Sequence, residues 1–423
     1  MLVFNKAVVF ALITIFSTVA TATSAASDEL SNDVDGQETV SAVQDEILQD
    51  LPSEKIATES EHLVGKQDTD RPVNQSKSEE DPDELDKLFE AGVESYLNDD
   101  WQGCIDDFHK ALTSYKMHKK RVVDCRRKCR AEVNDVEPIF PFDMEDMHFF
   151  EKKVRETLCL MKCKKIVRNK DNDRQLPVHV ETKYTKRRAY EYLHICYYKK
   201  KRYQDAANAV FTFLTIHPTD NQTLRNMQFY MDLPEVVQED IVDLETDPFQ
   251  VMYKAGVIAH YEENYPEVIE QLENSLKAYM KAEEDCRLYC EGPFDQGWLP
   301  DFTMSIANHF AFGLKCKRSC SYMLNNLNGE QRHDMLMSHY HYLQFAYFKI
   351  GKLEEACAAI ESFLLFIPTD ETVLNNKRYF MELPEVKEEY FKPREEAESY
   401  VKRQEYELRI LLFIQEQFKS EKN

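Results

Sequence analysis

The stretch EAGVESYLNDDWQGCIDDFHKALTSY at residues 90–115 returns as KAGVIAHYEENYPEVIEQLENSLKAY at residues 254–279. A second, longer stretch, YLHICYYKKKRYQDAANAVFTFLTIHPTDNQTLRNMQFYMDLPEV at 192–236, returns as YLQFAYFKIGKLEEACAAIESFLLFIPTDETVLNNKRYFMELPEV at 342–386. A chain that repeats itself over such lengths folds as copies of one structural unit, each with the same apolar face to bury. The body of this chain is therefore a duplication.

The content of the repeat sets its fold class. Only 10 of 423 residues are Gly, Tyr and Phe are plentiful, and Leu, Ala, Lys and Glu recur at helical spacing. No hairpin or βαβ pattern competes with that reading. Small residues that let two helices approach, and a Pro that closes the second, fit the tetratricopeptide pattern of antiparallel helix pairs. Ala91, Gly92 and Ala111 mark a first pair, and Tyr197, Ala206 and Pro218 a second. Ala255, Gly256 and Ser275, then Tyr347, Ala356 and Pro368, mark their counterparts. Aromatic stripes such as Tyr190, Tyr197 and Phe213, or Tyr340, Tyr347 and Phe363, read as core. The expected fold is all-α, a duplicated tetratricopeptide-like helical-repeat solenoid stapled by disulfides.

The staples are read from cysteine spacing. CRRKC (Cys125, Cys129), CLMKC (Cys159, Cys163), CRLYC (Cys286, Cys290) and CKRSC (Cys316, Cys320) place two CxxxC pairs in each half, in the same order. Cysteines four apart share one helix face, one turn apart. Two such helices packed antiparallel allow an outer bridge Cys125–Cys163 and an inner bridge Cys129–Cys159, with Cys286–Cys320 and Cys290–Cys316 as equivalents. A parallel connectivity also fits the spacing. Four thiolates can hold zinc, but an oxidising compartment competes for them and no His sits at ligand spacing beside a pair. Thiol catalysis usually shows CxxC at a helix start after a strand, which is absent. Structural bridges are the expected role. Eleven cysteines is an odd number, so at least one thiol stays free or pairs with another chain; the candidates are Cys104, Cys196 and Cys357.

Composition along the chain sets the organisation. MLVFNKAVVFALITIFSTVATATSAA carries a Lys, a short apolar run and small residues at its end, which reads as a secretory signal peptide over 1–26. Residues 27–84 read as a disordered acidic linker, 85–240 and 241–390 as the two helical-repeat halves, and 391–423 as a C-terminal helical segment. No later stretch reaches about eighteen apolar residues, so no membrane span is expected. A net charge of −23 argues against nucleic acid and anionic membranes, both of which need a positive surface. The local exceptions are KMHKKR at 116–121 and RRK at 126–128, read as a solvated helix face, with a site for an acidic partner as the alternative. Asn221 and Asn74 stand in glycosylation acceptor triplets. His339 and His341 lie two apart and point to different faces of a helix, which disfavours a shared metal. With no phosphate loop, GxSxG or HExxH, no catalytic, cofactor-binding or metal-binding residue is expected.

The pairs DCRRKC, LCLMKC, DCRLYC and KCKRSC, the endings HPTDNQTLRNMQFYMDLPEV and IPTDETVLNNKRYFMELPEV, and the segments HYLQFAYFK and FKPREEAESY together resemble the leprecan family. The likeness runs from about Leu85 to about Gln415. It implies a protein of the endoplasmic reticulum lumen that joins a prolyl 3-hydroxylase of the same family; partial secretion to the extracellular matrix is allowed beside it. A cyclophilin B-type prolyl isomerase is the second implied partner, and unfolded procollagen chains are the implied client. Enzymatic members add an oxygenase domain holding Fe(II) and 2-oxoglutarate through His-x-Asp and a distant His. His-x-Asp is absent here and the sequence closes at Asn423, so a non-enzymatic member without cofactor is expected. It would support prolyl 3-hydroxylation or, on another branch, lysyl hydroxylation; a secreted matrix-binding protein is the alternative. The closing SEKN is not a KDEL-type retention signal, which leaves retention to partners.

Overall fold

The computed structural model describes residues 82–139, 141–167, 176–292 and 301–417. The expected signal peptide, nearly all of the acidic linker, Asn74 and the last residues of the C-terminal segment lie outside them. Fourteen α-helices are found among the described residues. The first half holds α1 (Pro82–Leu97), α2 (Trp101–Asn134), α3 (Met147–Val167), α4 (Val178–Thr185), α5 (Ala189–Lys199), α6 (Tyr203–Leu214) and α7 (Asn221–Met231). The second holds α8 (Pro248–Tyr261), α9 (Tyr265–Tyr289), α10 (Phe302–Leu324), α11 (Met335–Lys349), α12 (Leu353–Leu364) and α13 (Glu371–Met381). The last helix, α14, spans Glu395–Gln417. In each half a first helix pair, α1 with α2 or α8 with α9, is followed by a second, α5 with α6 or α11 with α12. Between them stands a helix joined by disulfides to the long second helix, α3 to α2 and α10 to α9.

Each half builds its own core. One apolar cluster draws on Leu85, Phe108, Tyr190, Leu193, Val210 and Phe213. Its equivalent draws on Phe249, Leu272, Tyr340, Leu343, Ile360 and Phe363. The small residues read from sequence explain how the pairs close. A Cβ on Gly92 would stand 2.8 Å from the Phe108 ring, and one on Gly256 would stand 2.7 Å from Leu272. Phe108 and Leu272 are matching positions of the repeat, so the same tight crossing is made twice with different side chains. Asp100, Asp220, Asp301 and Asp370 cap their helices by accepting a main-chain N–H three residues on, satisfying donors that have no partner inside the helix.

The halves differ where α4 stands. In the second half that place is taken by a short antiparallel hairpin, Asn326–Leu327 paired with Glu330–Gln331. This corrects the expectation of no hairpin. The turn is Asn328-Gly329, both with positive φ, and Asn-Gly is the strongest two-residue hairpin signal; two residues per strand are too few to show alternation.

The helix α14 is fastened by charge. Arg394 forms two bonds to the Glu273 carboxylate, at 2.6 and 2.9 Å, and Tyr347 donates to the same carboxylate at 2.8 Å. Deeper in, Arg287 of α9 pairs with Glu407, and Arg403 donates to Glu283 at 2.7 Å. Burial raises the Glu283 carboxyl above its ordinary range, and Arg403 and Arg287 only partly offset that rise. Breaking one member of such a buried set leaves an uncompensated charge.

Two of the three cysteines outside the CxxxC pairs are bonded to each other. Cys104 of α2 and Cys196 of α5, both fully buried, form a disulfide across 92 residues. Cys357 of α12 is a free, buried thiol, pushed up to about 11 chiefly by that burial. At the places of Cys104 and Cys196 the second half has Val268 and Ala346, also fully buried. The same core contact is therefore cross-linked in one half and merely packed in the other. Replacing the bridge with its counterpart, Cys104→Val with Cys196→Ala, preserves the packing and removes the constraint. We expect a loss of about 4.6 kcal/mol, from the chain-entropy relation for a loop of this length, measured by urea unfolding against the wild type.

Burial also sets a pH response. His194, in the first core beside the Tyr230 hydroxyl at 3.0 Å, is depressed to about 4 by burial. A histidine held neutral below its ordinary value contributes stability that is complete above pH ~6.5 and is lost as pH falls toward 4. The His194 share of that loss is up to about 1.4 kcal/mol per pH unit across the window. Unfolding curves at pH 7, 6 and 5 should therefore show a shallower fall for His194→Leu than for the wild type.

Candidate interaction surface

The second CxxxC pair of each half is brought against the first by antiparallel packing. Cys129 and Cys159 are bonded at 2.09 Å between α2 and α3. Cys286 and Cys320, and Cys290 and Cys316, are bonded at 2.01 and 2.02 Å between α9 and α10. These bonds follow the antiparallel connectivity. Cys125 is disulfide-bonded as well, and Cys163, its expected partner, lies outside the residues whose side chains are described. The sulfurs of Cys286, Cys290 and Cys320 lie within 4.8 Å of one another, a cluster accounted for by two neighbouring disulfides rather than by thiolates that bind metal. Asn221 is the exposed first residue of α7, directly after its cap Asp220. His339 is fully buried in the second core, while His341 is half-buried on another face of α11.

The arginines between the cysteines are not a solvated face. Arg126 of α2 donates to the main-chain carbonyls of Leu288 and Tyr289, at 2.9 and 2.7 Å, in the last turn of α9. Those carbonyls belong to a helix end, where acceptors lack partners and the helix dipole is negative. Arg127 pairs with Asp285 and reaches Glu284 at 3.5 Å, and Arg130 pairs with Glu291. Lys119 lies 5.2 Å above the Tyr289 ring, and Lys116 pairs with Glu245 at 2.7 Å. While Lys116, Lys119, Lys120, Arg121 and Lys128 stay on an exposed face as read, Arg126 and Arg127 of the basic patch thus form an internal clamp between halves. Charge spacing on one helix cannot reveal it, because the acidic partners are more than 120 residues away.

Further contacts complete the clamp. Tyr289 and Tyr115 both donate to the Glu181 carboxylate, at 3.0 and 2.6 Å. Burial, followed by that carboxylate, raises both phenols well above the ordinary tyrosine range. The hairpin of the second half also touches the first: Asn326 donates to the Thr215 carbonyl at 3.3 Å. A Cβ on Gly329 would stand 3.1 Å from the Thr215 main chain, so glycine serves there both the turn and the close approach.

Beyond the clamp, between α3 and α10, opens a cleft of about 720 Å³. Phe149 and Phe310 face each other across it at 6.4 Å, and Lys153 lies 5.8 Å over Phe310. Lys317 and Arg130 share Glu291 at its floor. Burial, aided by Lys153 and Lys317, lowers the His309 imidazole below its ordinary value. Phe149, Phe150 and Phe310, all exposed, line this cleft, and the stapled helices expose further large apolar side chains outside its lining, among them Met147, Val154, Leu158 and Met161 on the first half and Met304 and Phe312 on the second. An apolar surface of this extent on a helix pair held rigid by disulfides is suited to another protein.

The fold defines a disulfide-stapled helical-repeat protein with an aromatic cleft between its stapled helices. Comparison with known proteins gives the particular family. A profile described as the leprecan family TPR-like repeat region matches residues 84–419, and the chain belongs to that family. Prolyl 3-hydroxylase 1 of Rattus norvegicus is 30% identical over 79% of this chain and 48% of its own. Cartilage-associated protein of Mus musculus is 28% identical over 74% of this chain and 79% of its own. The endoplasmic reticulum protein SC65 of Homo sapiens is 28% identical over 78% of each. The chain spans about half the length of the hydroxylases that it matches. No helix among the described residues is long and apolar enough to cross a membrane.

Removing Arg126 should loosen the two halves without unfolding either. We expect Arg126→Ala to cost about 1–3 kcal/mol, the range for a lost charged hydrogen bond and its stranded acceptors. The checks are whether one thermal transition becomes two and whether proteases gain access to the connection between the halves.

Proposed function

We propose that this chain is a non-catalytic scaffold and chaperone subunit of a collagen-modifying complex in the endoplasmic reticulum. In that reading it holds a prolyl 3-hydroxylase of its own family, and a cyclophilin B-type prolyl isomerase, beside unfolded procollagen chains. The observation that carries the reading is the cleft between α3 and α10, lined by the exposed rings of Phe149, Phe150 and Phe310. The relatives named prolyl 3-hydroxylase, cartilage-associated protein and endoplasmic reticulum protein SC65 support it. A rigid solenoid that holds an enzyme and its extended client on one body raises the local concentration of each for the other. Glycans on Asn221 and Asn74 belong to the same secretory reading, as does an outer bridge Cys125–Cys163.

The mechanism needs only positioning. The disulfides fix α3 against α2 and α10 against α9, the Arg126 clamp fixes the two stapled pairs together, and the cleft between them keeps its shape without paying ordering entropy on binding. The rings of Phe149 and Phe310 offer apolar area, and Lys153 places a cation over Phe310.

The test is capture of a prolyl 3-hydroxylase from endoplasmic reticulum extracts by the tagged full chain, compared with Phe149→Asp/Phe310→Asp. Capture should fall at least about tenfold in the variant, the effect of losing one central anchor, while helix content stays unchanged. Undiminished capture would overturn the assignment of this face. Peptide mass spectrometry of collagen from cells with and without the chain reads the consequence. Loss of 3-hydroxyproline supports the prolyl branch, loss of hydroxylysine alone moves the chain to the lysyl branch, and no change in either overturns the collagen reading.

A further inference from the structure

Away from the cleft, the duplication repeats a second aromatic surface. On the first half, Tyr96 at the end of α1 meets Trp101 at 6.0 Å and Tyr192 of α5 at 5.2 Å, both edge to face. Lys199, the last residue of α5, places its ammonium 5.3 Å over the Trp101 ring. On the second half, His260 of α8 meets Tyr342 and Phe345 of α11 at 5.0 and 5.4 Å. Tyr265, at the place of Trp101, meets Phe345 at 5.8 Å. Lys349, at the place of Lys199, lies 5.0 Å over Phe345 and 6.0 Å over Tyr265. Beside each group stands one large exposed side chain at the same repeat position, Leu97 at 71% and Tyr261 at 77% exposure.

These groups are neither core nor scattered surface. All six ring positions of Tyr96, Trp101, Tyr192, His260, Tyr265 and Tyr342 are only half-buried. They lie between the first helices of successive pairs, α1 with α5 and α8 with α11. Two copies of one part-exposed aromatic group, each with a lysine over a ring, call for a ligand that presents the same feature more than once. Stacked nucleobases would satisfy the rings, but a net charge of −23 opposes a polyanion.

We propose that each face binds one stretch of an extended, proline-rich polypeptide in the polyproline II conformation, so that a single unfolded chain is held at two equivalent points. Such a chain has no internal hydrogen bonds, and its carbonyls are free to accept from lysine ammonium groups. Its prolyl rings pack flat on aromatic side chains, and its stiffness keeps the ordering cost of binding low. Lys199 and Lys349 therefore supply donors and the rings supply the apolar floor. This inference rests on the reading of unfolded procollagen as the client and adds where on the chain that client lies.

The test titrates the purified full chain with decaproline, a ten-residue Gly-Ser peptide and heat-denatured collagen, following Trp fluorescence and heat. Two decaproline sites per chain are expected, with no Gly-Ser binding. Leu97→Ser/Lys199→Glu should remove one site, and Tyr261→Ser/Lys349→Glu the other; all four positions are exposed, so folding is spared. The four-position variant should bind denatured collagen at least about tenfold more weakly, since two-point attachment is lost. Decaproline binding no stronger than Gly-Ser, or unchanged collagen affinity in the four-position variant, overturns the inference and leaves the collagen reading standing. No binding of denatured collagen by the wild type overturns both.

Discussion

Arg126 crosses from the first half of the molecule and ends on two main-chain carbonyls at the close of α9. Each half has its own core and could satisfy its apolar faces alone, so the relation between halves depends on this kind of polar contact. Helix ends leave acceptors that something must satisfy, and here a guanidinium from the other copy does so. Arg127 and Arg130 extend the same contact to Asp285 and Glu291. Because the arginines sit between or beside Cys125 and Cys129, the bridge that fixes α3 to α2 also fixes the clamp. The cleft and its phenylalanines inherit their geometry from that single arrangement.

The duplication shows how far one plan tolerates different side chains. Phe108 and Leu272 fill the same crossing over Gly92 and Gly256. Tyr197 bonds His109 at 2.5 Å where Tyr347 bonds Glu273 at 2.8 Å. A buried disulfide in one half is a valine against an alanine in the other. What persists is an apolar group filling each crossing and an acceptor or donor for the hydroxyls of Tyr197 and Tyr347, in keeping with a packed interior that responds to shape before identity.

Much of this was readable from the residues. Gly92, Gly256 and the spacing of Tyr and Phe carry the helix pairs because close approach and apolar periodicity are local properties. The CxxxC pairs carry the stapled helices because four residues make one turn. Cys104–Cys196 was not readable, since nothing local distinguishes a buried bridged cysteine from a buried free one such as Cys357; only comparison with Val268 and Ala346 marks that pair as a single core contact. The clamp escaped for a related reason. Arg126 and Arg127 look like surface charge until α9 is placed beside them. The Asn328-Gly329 turn carried a usable signal that the helical pattern around it obscured.

The bridge between Cys104 and Cys196 has a consequence in time as well as in energy. A chain is synthesised from its N-terminus, and its domains assemble as their residues emerge. The Cys129–Cys159 bond and both bonds of the second half span 26 to 34 residues, so each becomes possible soon after its second cysteine appears. Cys104 must wait for 92 further residues. Throughout that interval its thiol is joined by the four cysteines of the first two CxxxC pairs. The order of synthesis thus makes the first half the slower to finish and the one more dependent on correction by cellular disulfide-exchange catalysts. The second half meets the same core with a valine and an alanine and carries no such delay.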